Sequence, residues 1–269
     1  MRMYAKSAIY YIIFRRECAV ACKKTEPERR GHMKTDSFLE IQKETIERIQ
    51  ACKRGELRAP VAEVLTREYC TDNWKACNRV VFQPMEGSDA LPNGAPSELT
   101  RRRYLRFAEG GPGIIWMEAV AVSMQGRSSP RQMVLCRETL DAFRALVSDM
   151  KKAGLHANGF APIVAIQLTH SGRYAKPNGY PAPGIAYHNP YLEKNGAPAD
   201  DCILSDDALA RLSESYAVGG GLAAMAGIDM IDVKCCHGYL SCELMTARER
   251  AGRYGGSDRK STRLNSSHT

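Results

Sequence analysis

No stretch of this sequence approaches the ~20 consecutive apolar residues that a bilayer-crossing helix needs, so no membrane partner is expected. No Cys-x-x-Cys pair occurs among its 10 cysteines. A chain of 269 residues can bury a core without covalent staples. The cysteines therefore read as reduced thiols, and a cytoplasmic protein is expected. No Gly-x-Gly-x-x-Gly opens a helix after the first strand, and no Walker-type phosphate loop exists. Both absences argue against Rossmann and P-loop folds. Aromatic residues make up only 7% of the chain and do not interleave with its basic residues. The net charge of +8 gathers locally at Arg101, Arg102, Arg103 and Arg106. That cluster reads as a solvated helix face rather than a nucleic-acid surface.

What is present divides the chain unevenly. Lys6 to Phe14 is basic and then apolar, but Arg15, Arg16 and Glu17 end the apolar run early. A signal peptide cleaved near Ala19-Val20-Ala21 is one reading. The preferred one makes residues 1–32 an upstream leader before a start at Met33. Residues 33–77 are expected to be a helical lead-in, with a surface helix from Asp36 to Arg54. Residues 78–257 form the main domain, and residues 258–269, polar and unpatterned, read as a tail foreign to it.

The main domain alternates strand and helix. Arg79 to Gln83 predicts a strand ending at Pro84, and Ser97 caps a helix carrying Leu99, Leu105 and Phe107 that stops at Gly110-Gly111. Gly113 to Val122 is nearly continuous apolar sequence, the mark of a sheet covered on both faces. A stripe of Leu140, Phe143, Leu146, Val147 and Met150 follows, closed by Gly154. Pro162 to Leu168 is the third strand. Ser205 caps a third helix bearing Leu209, Leu212 and Tyr216, with Gly219-Gly220-Gly221 unexplained inside it. Ile228 to Val233 is the fourth strand, and Leu240 to Arg250 a candidate helix. Four such units in a row imply a parallel sheet. The expected fold is an α/β (β/α)8 TIM barrel of which only the first four or so units are present, with its chemistry in the loops after the strands. The Gly- and Pro-rich segment from Ser171 to Leu204 is too irregular for regular structure; it reads as a lid or binding loop, or as a surface insertion.

Asn78 to Met85, Met117 to Val122, Gln167 to Arg173, Lys234 to Leu240 and Tyr254 to Ser257, taken together, resemble the Old Yellow Enzyme, or NADH:flavin oxidoreductase, family. The first-strand signature appears as Asn78-Arg79-Val80-Val81-Phe82-Gln83-Pro84-Met85, and the second as Met117-Glu118-Ala119-Val120-Ala121-Val122 followed by Gly126-Arg127. The third is Gln167-Leu168-Thr169-His170-Ser171-Gly172-Arg173. The fourth reads Lys234-Cys235-Cys236-His237-Gly238-Tyr239-Leu240, and a Tyr-Gly-Gly-Ser element is present as Tyr254-Gly255-Gly256-Ser257. Each is weak alone; together they run in the family's order from Asn78 to Ser257.

The resemblance implies FMN as cofactor and NAD(P)H as reductant. Hydride then passes through the flavin N5 to an activated, α,β-unsaturated carbonyl-type alkene, a small-molecule substrate. It leaves open a homo-oligomer for the full-length protein. Pro84 and Met85 end a strand where backbone N–H groups can meet a flavin edge, and Ala119 leaves room for a flat ring. Gln167 brings an amide that donates and accepts at once. His237 is expected both beside the cofactor and as donor to a substrate carbonyl, and Tyr239 as the proton donor to the α-carbon. His170 and Arg173 either join the site or anchor loop backbone. No metal is expected: Cys235, Cys236, His237 and Cys242 are close in sequence, but adjacent strand residues point to opposite faces.

The pattern breaks at Lys234, where the family carries a histidine. Lys234 is either a cationic donor for a carbonyl or carboxylate, or the ion-pair partner of Asp232 two residues below on the same face. A Schiff-base lysine is a further alternative, as is an inactive truncated fragment that binds no flavin. Glu86-Gly87-Ser88 after the first strand also departs from the expected residues.

Overall fold

The computed structural model of the chain describes residues 11–13, 64–72, 74–194 and 196–256. It divides into two compact units, one of Met1–Arg15 with Val81–Thr269 and the other of Arg16–Val80. The helix expected from Asp36 to Arg54 and the tail after Ser257 lie outside the described residues, as does the leader apart from Tyr11–Ile13 (β1). The lead-in is helical at residues 64–66 but does not end as a helix. Tyr69–Cys70 (β2) and Lys75–Ala76 (β3) form an antiparallel hairpin. Its turn is closed by Thr71, whose hydroxyl accepts from the Trp74 N–H.

The larger unit holds a sheet in the order β1-β7-β6-β5-β4. Val81–Phe82 (β4), Ile114–Ala121 (β5), Ile163–Thr169 (β6) and Met230–Val233 (β7) run parallel. The helices Glu98–Glu109 (α1), Leu140–Asn158 (α2) and Asp206–Met225 (α3) follow the first three strands, and Leu240–Thr246 (α4) follows the last. All four expected strand-helix units are therefore present. The outer edge of β7 pairs antiparallel with β1, a contact the alternating pattern did not predict. No described helix is long and apolar enough to cross a membrane.

The side chains sort by sheet face. Ile115, Met117, Val120, Val164, Ile166 and Leu168 pack under the helices against Phe143, Leu146, Met150 and Leu222. Strand alternation leaves Trp116, Gln167, Thr169, Asp232 and Lys234 on the opposite face, the interior of a barrel. The phase survives a β-bulge between Met117 and Ala119, which turns Glu118 toward α1. There Glu118 accepts from Tyr104 Oη at 3.2 Å and from Arg103 Nη2 at 2.7 Å.

That buried carboxylate explains two departures in α1. The helix buries Thr100, Tyr104 and Ala108; of the apolar residues read from its sequence, Phe107 packs on the core and Leu99 is half exposed. Arg103 is not a solvated member of the arginine cluster, because it bridges Asp89 and Glu118. The end of α2 also differs. Gly154 lies inside the helix, where a Cβ would sit 2.5 Å from Pro162 Cδ, so it is a close-approach residue. The helix ends at Gly159, whose φ of +77° gives the left-handed cap. In α3 a Cβ on Gly219 would meet Leu168 and Val122 at ordinary contact distances, and one on Gly221 would meet nothing within 4 Å. Nothing in the packing explains the run of three.

Candidate active site

Three loops at the C-terminal ends of β4, β6 and β7 bring the expected residues to one end of the sheet. After β4, Pro84 is half-buried and Met85 is 77% exposed. The chain then turns tightly. The Gly87 N–H donates to Glu118 Oε2 at 2.9 Å. A Cβ at Gly87 would fall 2.1 Å from the Arg103 guanidinium, so only glycine lets that arginine reach Glu118. Ser88 follows with φ +48°.

After β7 the geometry is similar in kind. His237 has φ +60°, and Gly238, with φ +67°, continues the left-handed turn. Ser88 and His237 are the non-glycine residues with positive φ among the described residues, and both stand at this end of the sheet. Strain of this sort persists where surrounding structure enforces it, and it clusters at ligand-binding positions. His237 is exposed, with Nδ1 3.8 Å from Cys236 Sγ. Its ring lies 6.2 Å from that of Tyr239.

Lys234 is 5% exposed, and its Nζ sits 4.6 Å over the Tyr239 ring. It does not pair with Asp232. The ammonium reaches across the sheet to Glu86 Oε1 at 3.4 Å, and Ser128 Oγ donates to Glu86 Oε2 at 3.1 Å. Burial, then the Glu86 carboxylate, holds the Tyr239 phenol above its ordinary pKa, against the opposing effect of the Ser128 and Ser171 hydroxyls. A phenol so placed keeps its proton at neutral pH, as a general acid must.

Gln167 is buried on β6, and its Nε2 donates to Asp232 Oδ2 at 2.7 Å. Burial raises the Asp232 pKa, while Gln167, Trp116 and Lys234 act to lower it. Ala119 is fully buried, and its carbonyl accepts from Gln132 Nε2 at 2.9 Å. The structure therefore brings Lys234, His237 and Tyr239 together at the mouth with Pro84 and Met85. Gln167 and Ala119 sit one layer deeper.

His170 and Arg173 hold loops in place. His170 Nδ1 accepts the Gly172 N–H at 3.1 Å, and burial drives its pKa down to about 4, so the ring is neutral with its proton on Nε2. Arg173 is buried between Glu243 Oε1 at 2.5 Å and Glu193 Oε1 at 2.6 Å, and Nη2 donates to the Tyr187 carbonyl. The segment from Ser171 to Leu204 is thus tied to α4. Burial pushes the Cys235 thiol up to about 11, which keeps it protonated.

Glu86, Ser128, Arg127 and Thr169 were not singled out as site residues. Arg127 donates to the carbonyls of Met124, Pro92, Pro130 and Pro177, fixing the loop that carries Ser128. Thr169 Oγ1 is fully buried on the interior face without a hydrogen-bond partner. Glu86 was visible only as a departure from the expected loop sequence. A cavity of about 460 Å³ lies elsewhere, between the 186–188 and 203–206 segments and Arg250. There Arg250 Nη1 holds Asp206 at 2.8 Å, while the buried Arg250 Nε has no hydrogen-bond partner.

The mouth suits a flat, polar-edged cofactor. It offers an exposed apolar side chain at Met85, an orphaned buried hydroxyl at Thr169, an amide at Gln167 and an ammonium with unused donors. Contact with Gln167 would have to share that amide with Asp232.

Residues 72–265 match the family described as NADH:flavin oxidoreductase / NADH oxidase. The chain is 30% identical over 193 residues to an NADPH dehydrogenase of Bacillus licheniformis, covering 70% of this chain and 53% of that one. It is 31% identical over 183 residues to the NADPH dehydrogenase of Halalkalibacterium halodurans, covering 67% and 51%. The chain thus spans about half the length of the curated relatives it matches. Among solved structures, an Old Yellow Enzyme from Pichia sp. superposes with a TM-score of 0.62 at 23% identity, over 76% of this chain and 55% of that one. Morphinone reductase does so with 0.59 at 22%, over 74% and 58%. These likenesses identify the described sheet and helices as part of the (β/α)8 barrel of that family.

Proposed function

The chain belongs to the NADH:flavin oxidoreductase / NADH oxidase family, and from that premise we propose that the complete protein is an FMN-dependent oxidoreductase. It takes its reducing equivalents from NAD(P)H and passes hydride to the β-carbon of an activated alkene, working in the cytoplasm. The observation that carries this reading is the convergence of Lys234, His237 and Tyr239 at one strand-end mouth, with His237 held in a left-handed turn.

FMN, once bound, supplies the hydride. Pro84, Met85, Ala119, Gln167 and His237 are the residues proposed to hold it, through the Met85 backbone N–H, the Gln167 amide and packing by Pro84 and Ala119. Lys234 and His237 donate hydrogen bonds to the substrate carbonyl oxygen, where negative charge develops as the alkene accepts hydride. Tyr239 gives its proton to the α-carbon, and its raised pKa keeps that proton available. A Schiff-base role for Lys234 is not favoured, because its ammonium is already engaged by Glu86 and the Tyr239 ring.

The test is direct. The full-length protein, purified from cells, should carry FMN in near-stoichiometric amount. Anaerobic NADPH should bleach its visible absorbance, and a cyclic enone should restore it. Protein that refolds or expresses well and binds no FMN would overturn the reading.

A further inference from the structure

The mouth holds a charge arrangement that the proposed reaction does not by itself require. Lys234 is a buried ammonium with three donors, and among the described residues Glu86 is its hydrogen-bonding partner. Asp232, 1% exposed, lies two residues along on the same face. The cation is thus engaged by one acid, Glu86, while Asp232 is held by Gln167.

Glu86 is not free to leave. Its Oε2 accepts from Ser128 Oγ at 3.1 Å. The next residue is tied down by the Gly87 N–H on Glu118 Oε2 and covered by the Arg103 guanidinium. Arg103 in turn is fixed by Asp89 and Glu118. Ser88 then takes a left-handed φ of +48°. Swinging Glu86 away would disturb this whole turn.

We propose that Glu86 is a specificity-determining residue: as the fixed counter-ion of Lys234, it makes the site accept neutral carbonyl compounds and refuse free carboxylates. A neutral carbonyl oxygen can accept one of the unused Lys234 N–H groups while the ion pair stays intact. A carboxylate needs the same ammonium but meets the Glu86 carboxylate already held on it, beside a lysine that is itself 5% exposed, so like-charge repulsion disfavours it. This rests on the reading of Lys234 as the carbonyl donor, and it decides between the two acceptor types that a lysine there allows.

The experiment is titration calorimetry on the full-length, FMN-loaded, oxidised protein with cinnamamide and cinnamate, matched in shape and differing in charge. The wild type should bind cinnamamide about tenfold more tightly than cinnamate, the size of a modest like-charge effect. E86Q should bring the ratio to about one or invert it, and E86D, whose shorter side chain holds the charge farther from the ammonium, should give a ratio between the two. An unchanged ratio in E86Q, equal binding of both probes by the wild type, or binding of neither would overturn the proposal. Because oxidised protein does no chemistry on these probes, the result is separable from the reductase reading. A ratio that follows Glu86 in a protein unable to reduce enones would sink that reading alone.

Discussion

Two buried cations, one after β6 and one after β7, are treated in opposite ways by their surroundings. The Arg173 side chain is 6% exposed and paired at every nitrogen: two carboxylates and a carbonyl take up its fork. Lys234 is 5% exposed and under-used, with a single acceptor among the described residues, at 3.4 Å, and an aromatic face beneath it. A planar guanidinium suits the first task and a compact ammonium the second. The difference separates scaffold from site. A saturated buried charge has nothing left to offer a ligand, whereas an unsaturated one beside a strained turn does.

Removing each cation should therefore have opposite signatures. In R173M, Glu243 and Glu193 (2% and 8% exposed) are left buried without their cation. Losing one member of such a network costs about 3–5 kcal/mol. Urea unfolding should show a loss of that size, with the 171–204 segment becoming protease-sensitive. K234M leaves Glu86, one-quarter exposed, able to reach water, so its stability loss should stay within about 1 kcal/mol. Its kcat/KM on an enone should fall by roughly a hundredfold, the worth of one oxyanion donor. A K234M variant as unstable as R173M would erase the distinction.

His170 sharpens the scaffold side of the comparison through pH. Its folded-state pKa of about 4 lies below the ordinary histidine value because burial disfavours the imidazolium. Between pH 6.5 and 4 the unfolded chain binds the proton and the folded chain does not. Stability is thus fully present above pH 6.5 and falls as pH drops toward 4, by about 3 kcal/mol at most. Below pH 4 this residue contributes no further slope. In H170N the amide oxygen can still accept the Gly172 N–H, so the fold should persist while the slope over that window shrinks. Urea midpoints of both proteins at pH 6.5 and 4.5 provide the check, and identical slopes would show that His170 is not the group responsible.

Much of the scaffold is legible in the sequence because apolar runs and caps are local. Ser97 and Ser205 cap the helices they were expected to cap, three strands lie within their predicted segments, and the strand at Ile163–Thr169 overruns its segment by one residue. What stays hidden depends on partners far along the chain. The face of α1 is set by Glu118, through Tyr104 and Arg103, and no pattern within the helix reports that. Gly154 resembles a helix end until Pro162 is seen against it. The mouth divides in the same way. Motif order places Lys234, His237 and Tyr239 at one strand end, but the Glu86–Lys234 pair joins residues 148 positions apart. Strand alternation names Asp232 as the lysine's neighbour, yet the longer side chain of Glu86, pinned by Ser128 and the Gly87 turn, takes the ammonium instead.

The smallest expected effect probes the strain at the mouth. Ser88 holds a left-handed φ of +48° with a Cβ present, an arrangement that disfavours an L-residue by roughly 1–2 kcal/mol. S88G removes that penalty but gives the unfolded chain more freedom, so the net gain should be about 0.5–1 kcal/mol. If the strain only reflects loop packing, stability rises and nothing else changes. If it fixes the direction of Glu86, the same variant should also narrow the cinnamamide-over-cinnamate binding ratio, since a glycine at this position lets the turn relax and the carboxylate move off Lys234. No such trade is expected at the Arg173 network, whose polar contacts are saturated and where added freedom only loosens the fold. An S88G protein that is more stable and keeps the full wild-type ratio would mean that the Glu118 and Arg103 contacts at Gly87 position Glu86 without help from the strained residue.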